Sequence, residues 1–293
     1  MSACIDFRAV AEELLATHPT SNLYFLLDHA GMPGLHRRLR RSSVPWSSLF
    51  DGSNEANALQ VAPFLVHVGS EGRLLMFRDL FKWVGEFGTY SSSVVMLTSP
   101  LDMATLRSRL TARLDIKLSE NMDAMLRFFD PRVLESLLRI LSAEQARTFF
   151  SPAEVWRYVD RTGKLVSVTK AFDAQENFVA PMVLDQQQEF SLLEACEIDQ
   201  VLDLLRQNLP ALMATLSLAD QPVFVDRAIG TARGLGIDSV FKFSLDIAVC
   251  LAHGEAYMNG RERASFLDEL KRDDLDPAET LGILDLDDKW RTG

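Results

Sequence analysis

The sequence predicts an α/β lobe, a mixed sheet with covering helices, followed by an all-α lobe. Three observations carry this reading. Up to about residue 180, apolar runs of strand length alternate with segments whose apolar residues recur at helical spacing. Beyond that point every apolar stripe has the helical period. The charge divides at the same place: residues 1–180 hold 20 Lys+Arg against 20 Asp+Glu, and residues 181–293 hold 10 against 21, so the whole net charge of −11 falls in the second part. The expected domains are therefore 1–180, an α/β lobe, and 181–293, an acidic helical lobe.

In chain order, Phe7, Val10, Ala11, Leu14 and Leu15 lie on one face of a helix that His18-Pro19-Thr20 ends. Leu23–Leu27 is a buried-strand candidate stopped by Asp28 and by the breaker Gly31-Met32-Pro33-Gly34. Leu35–Arg41 reads as a short basic helix. Pro63–Val68 and Val94–Leu97 are further strands, and the bulky spacing of Leu74–Val84 predicts a helix between them. Ser99 and Pro100 suit an N-cap and first helical position, with Met103, Leu106, Leu110 and Leu114 following at helical spacing.

Arg127–Arg132 closes a strand and opens a helix, since Asp130 can accept first-turn N–H groups and Pro131 needs none. Trp156–Val159 and Lys164–Val168, joined through Asp160–Gly163, form a hairpin. In the second lobe Ile198, Val201, Leu202, Leu205, Leu209, Leu212 and Leu216 make a stripe broken at Pro210. Helices are expected at Val223–Ala232, Ser239–Leu251 and Glu262–Lys271, with Gly234, Gly236 and Gly254 at helix ends.

Composition excludes several classes. A chain 47% hydrophobic and 24% charged is neither disordered nor of low complexity. No apolar stretch reaches the roughly 18–20 residues that cross a bilayer, so no membrane insertion is expected. Asp6, Arg8, Glu12 and Glu13 occupy the place where a secretory leader has its apolar run. Cys4, Cys196 and Cys250 make no disulfide framework and lack metal-ligand spacing, which fits a reducing compartment. The expected localisation is cytoplasmic. The acidic second lobe repels phosphates, so nucleic acid is not an expected partner.

Catalytic signatures are sparse. There is no nucleophile elbow, no phosphate-binding loop and no His-Glu-x-x-His, and Gly230, Gly234 and Gly236 fit helix caps better than a dinucleotide fold. His29 and His36 could converge on a metal, but no carboxylate or thiol stands at suitable spacing. No metal and no cofactor are expected. Asp28-His29, at a strand end, is the most enzyme-like pair, the alternative being that Asp28 caps a turn and His29 lies on the surface.

Two groups suit partner binding instead. Arg37, Arg38, Arg40 and Arg41 are forks for carboxylates or phosphates, or else a solvated helix face. Phe77, Phe81, Trp83 and Phe87 form either a docking patch or core, with Phe81 and Trp83 the chosen docking candidates. Arg107, Arg109, Arg113 and Lys117 read as a solvated helix face. The tail Leu281–Trp290 reads as a fold-back or partner-binding segment.

Several landmarks resemble a known family. They are LYFLLDHAG (Leu23–Gly31), APFLVHV (Ala62–Val68), VVMLTSPLDMATLRSRL (Val94–Leu110), LRFFDPRVLESLL (Leu126–Leu138) and FFSPAEVW (Phe149–Trp156). In this order they resemble the effector adaptor/chaperone family of bacterial type VI secretion systems. Phe150-Ser151-Pro152 stands where the family often has Phe-Gly-Pro, and Lys117–Met122 where it often has a Gly-containing turn. The resemblance implies a non-enzymatic protein with no catalytic residue, which binds a cognate toxic effector and helps load it onto the VgrG spike. Asp130, Pro131 and Arg132, within its most specific element, are expected to serve structure through helix capping. The competing readings are a scaffold or regulator outside secretion, and a hydrolase-like enzyme using Asp28 and His29.

Overall fold

A computed structural model describes residues 4–53, 55–75, 78–258 and 260–271, in two compact units that divide at Ala195/Cys196. The first unit contains α1 (Phe7–Thr17), β1 (Asn22–Asp28), α2 (Leu35–Arg41), β2 (Trp46–Ser48), β3 (Pro63–Ser70), β4 (Arg73–Leu74), α3 (Arg78–Gly88), β5 (Val94–Ser99) and α4 (Met103–Ala112). It continues with β6 (Asp115–Lys117), β7 (Asp123–Met125), α5 (Pro131–Ile140), α6 (Ala143–Phe150), β8 (Val155–Val159), β9 (Leu165–Thr169) and β10 (Met182–Val183). The division falls within α7 (Gln186–Asn208). After it come α8 (Pro210–Met213), α9 (Asp220–Gly234), α10 (Val240–His253), α11 (Glu255–Met258) and α12 (Arg261–Leu270).

The main sheet runs β2-β3-β1-β5-β8-β9, with β4 on β3, and every pairing in it is antiparallel. The parallel pairing, β10 with β6, belongs to a small sheet in the order β10-β6-β7. β1 reads as one apolar run because both of its faces are covered. Residues paired across strands share a face, so Tyr24, Leu97 and Trp156 line one side, and Phe25 and Met96 the other. Phe25 meets Phe7 of α1 and Phe81 of α3 edge to face. Trp156 meets Phe128 and Phe150 on the opposite face, and its indole N–H donates to the Phe150 carbonyl. Each such buried ring stabilises the fold by about 1.5–3 kcal/mol.

Local chemistry moves some expected boundaries. Ser99 ends β5 and bonds to the Pro152 carbonyl, while the cap of α4 is Asp102, which accepts from the Thr105 N–H. Arg73–Leu74 form a short strand, so the helix expected from Leu74 begins at Arg78. The strand expected to close at Arg127 ends at Met125, before the loop leading to α5. The hairpin of β8 and β9 forms as expected, with Gly163 in the left-handed region (φ +82°).

The division also lies later than the expected 180/181. Met182 pairs with Ile116, and the Gln188 amide donates to the Ile140 carbonyl and to Gln145, so residues 181–195 belong with the first unit.

The second unit packs Val201, Leu202, Leu205, Val225, Ile229 and Leu267 around α10, which is buried continuously from Phe243 to Cys250. A helix buried all round has no polar face, yet Asp246 lies at its centre with no exposure. Arg263 of α12 answers it with a two-pronged ion pair, at 3.0 and 2.6 Å, and also donates to the carbonyls of Met258 and Ala228. Burial, then Asp246, pushes the neighbouring Cys250 thiol up to about 12.

Candidate functional site

An open groove of about 950 Å³ runs between α2 and α3. α2 is seven residues long and is held by two anchors, Leu35 and Leu39, both fully buried. That i,i+4 spacing puts the anchors on one face and leaves Arg37, Arg38, Arg40 and Arg41 exposed on the others. Arg37, Arg38 and Arg41 line the groove, and Arg40 lies outside it.

α3 supplies the facing wall. Asp79, Trp83 and Phe87 recur every four residues and so follow one helical face. Asp79 and Trp83 line the groove, and the Trp83 ring lies 5.2 Å from that of Phe87, which is 52% exposed. The Arg38 guanidinium sits 4.9 Å above the Trp83 ring, a contact worth about 0.5–1 kcal/mol at an exposed site. Val44 and Leu80 complete an apolar floor. Three guanidinium groups thus face one lining carboxylate among the described residues. Among the described residues, Arg37, Arg38, Arg40 and Arg41 make no ion pair.

The structure therefore brings the arginine cluster and Trp83 together, although Trp83 is itself a core residue only 8% exposed whose reachable edge lines the groove, and separates Phe81 from both. Phe81 is 4% exposed and packs into the core on Phe25, because its place on α3 points toward the sheet; it offers no docking surface. Phe77 and the tail Leu281–Trp290 lie outside the described residues. Phe87, one of the four clustered aromatics, is exposed, and Asp79, which sequence reasoning missed, is signalled by the i,i+4 series through Trp83.

Asp28 and His29 serve different neighbours. Asp28 is buried, and one carboxylate oxygen accepts from the Ala30 N–H at 2.9 Å while the other accepts from Arg127 at 2.8 Å. Burial raises its pKa, with the Arg127 charge acting in the opposite direction. The His29 imidazole donates from Nδ1 to the Leu59 carbonyl, and its ring lies against Phe64. Its centroid is 6.3 Å from that of His36, which in turn packs on Trp46 and Phe64. Burial, then the Arg40 and His29 charges, holds His36 below the ordinary imidazole value. Gly31 closes this turn where a Cβ would stand 1.9 Å from the Ser93 hydroxyl oxygen.

Asp130 caps α5 through the Arg132 N–H at 2.9 Å and also accepts from the Arg132 guanidinium at 2.7 Å. Pro131 occupies the first turn, where no N–H is needed. The Arg127–Asp28 bridge joins two sequence landmarks 99 residues apart.

The row Arg107–Lys117 corrects the expectation of a solvated face. Arg113 has no exposure; it donates to the carbonyls of Arg109, Thr148 and Phe149, binds the Glu176 carboxylate at 3.0 Å and covers the Phe178 ring at 4.4 Å. Arg109 donates to the carbonyls of Asp173 and Ala174 and pairs with Glu176. Arg107 reaches the Asp51 carbonyl. A buried guanidinium has five donors to satisfy, and the segment 173–178 wraps α4 with suitable acceptors.

Among the described residues no group of three or more His, Cys, Asp or Glu side chains is arranged to hold a metal ion, and no helix is long and apolar enough to cross a membrane. Gly230 and Gly234 lie within α9 and Gly236 follows it at φ +91°, with no strand leading into them.

Residues 23–148 match the model of a family described as a domain of unknown function, DUF4123. The matched segment begins in β1 and ends in α6, and includes the groove and the Asp28–Arg127 bridge. No curated protein and no solved structure matches the chain.

Proposed function

We propose that the chain is a cytoplasmic, non-enzymatic adaptor that binds a cognate toxic effector and helps load it onto the VgrG spike of a type VI secretion system. One contrast supports this reading most. The acidic groups of its strand–Asp landmark and of its most specific element are satisfied within the fold, Asp28 by Ala30 and Arg127, and Asp130 by the α5 terminus and Arg132. The arginines of the open groove, by comparison, make no ion pair among the described residues. Guanidinium groups without ion pairs among the described residues, one of them stacked on Trp83 and with the exposed ring of Phe87 next to Trp83, suit recognition of another macromolecule's surface. The match over residues 23–148 covers four of the five landmarks that carry the resemblance whole and reaches no further than Thr148.

The test is a tagged pull-down from the native cytoplasm, with mass spectrometry of the bound proteins and co-elution in size exclusion. Recovery of one large toxin, alone or with the spike, is the expected result. Recovery of neither, with both expressed, overturns the adaptor reading. An activity abolished by replacing both Asp28 and His29 with Ala, in a chain that remains folded, would favour the enzyme instead.

A further inference from the structure

We infer that the α2–α3 groove docks an acidic amphipathic segment of the partner protein, its carboxylates on Arg37 and Arg41 and an apolar side chain on Phe87. The inference rests on the adaptor reading and specifies the chemistry of what that adaptor grips. Three features of the groove favour this occupant. First, Arg37, Arg38 and Arg41 outnumber the one lining carboxylate, Asp79, and stand without ion pairs among the described residues. Second, Arg37 and Arg41 are one helical turn apart, on the same face of α2. Two carboxylates at i,i+4 on a partner helix have the matching spacing, and guanidinium forks bind carboxylates with two parallel bonds. Third, the Arg38–Trp83 stack forms part of the groove wall, and the Trp83 ring lies 5.2 Å from that of Phe87, which stands exposed just outside the lining. A purely anionic ligand would leave that ring in water, whereas an amphipathic segment covers it and excludes solvent from the charge pairs.

Arg40 provides an internal control. It belongs to the same basic run but lies outside the groove, so reversing it changes net charge as much as reversing Arg37 or Arg41 does. The experiment measures capture of the effector or spike identified with the wild-type chain, for Arg37→Glu/Arg41→Glu, Phe87→Ala and Arg40→Glu, each with its melting temperature.

The expected result is binding weakened about tenfold or more by the double reversal and clearly by Phe87→Ala, with Arg40→Glu near wild type. Raising salt should weaken the wild-type complex and leave the residual binding of the double variant little changed. A photo-reactive residue at Ser43, on the groove wall, should cross-link to a partner segment rich in Asp and Glu.

Undiminished capture by the folded double variant, equal loss with Arg40→Glu, or cross-linking to a neutral or basic segment overturns the inference while the adaptor reading stands. Capture of neither protein by the wild-type chain overturns both.

Discussion

α2 and α4 are both short helices with arginine-rich surfaces, and they use that charge in opposite ways. Arg37, Arg38, Arg40 and Arg41 of α2 point outward and make no ion pair among the described residues. Arg107, Arg109 and Arg113, in and just after α4, bind carbonyls and Glu176, and Arg113 is entirely buried. The difference lies in what crosses each helix. The segment around Asp173–Phe178 brings acceptors to α4, whereas α2 faces α3, which among the described residues offers Trp83 and a single lining carboxylate. Arginine density alone does not distinguish a clamp from a recognition surface; the supply of acceptors does.

The second unit gives the strongest form of the clamp. Arg263→Ala would leave the Asp246 charge buried without its partner, and an unfolding free energy lower by about 3–5 kcal/mol is expected from denaturant titration. A loss below about 1 kcal/mol would mean that water reaches Asp246.

Arg113→Ala should come next, at about 2–3 kcal/mol, because several carbonyls lose a charged donor while Glu176, about a third exposed, regains water. Arg113→Lys should restore little, since an ammonium cannot match the directions of the guanidinium fork. Full rescue by lysine would reduce the clamp to a point charge. Asp130→Ala should cost about 1 kcal/mol through the lost cap, with partner binding by the folded fraction unchanged; a selective loss of binding would move Asp130 into the recognition surface.

Arg37→Glu/Arg41→Glu should shift stability by no more than about 0.5 kcal/mol, as expected for surface groups without partners. A larger loss, measured by the same titration, would place these arginines with those of α4.

The smallest effect concerns His36, beside the cluster. Its folded pKa is lowered, so its contribution to stability is fully present above the ordinary value of 6.5 and is lost as pH falls through that value toward the folded pKa. His36→Gln should flatten this part of the stability–pH curve. An unchanged curve would show that neither burial nor the Arg40 charge opposes protonation of His36.

Much of the architecture was legible because it follows from local periodicity. The apolar runs at Leu23–Leu27, Pro63–Val68 and Val94–Leu97 became the three adjacent strands β3, β1 and β5, since a strand covered on both faces reads as continuous hydrophobicity. Asp130-Pro131 marked the start of α5 because capping needs only neighbours in sequence. The cap of α4 was misplaced by three residues because Ser99, although chemically able to cap, is drawn into β5 and bonds to Pro152. Within the groove, the arginines and Trp83 were separate candidates. Their joining depends on α2 packing beside α3, which no local pattern encodes.

By itself, then, the sequence determined the main strands and helices (the short strands β2, β4, β6 and β10 and helix α6 went unread), the acidic character of residues 181–293 and the residue types available for recognition. These follow from spacing, capping and counting, which act over a few residues or none. Tertiary structure alone decided which charges meet: Asp28 with Arg127, Arg113 with Glu176, Asp246 with Arg263, and the groove arginines with no ion-pair partner among the described residues. The partners in the three bridges stand 99, 63 and 17 residues apart. Electrostatic energy depends on distance in space and on exclusion of water, and neither exists until the chain has folded.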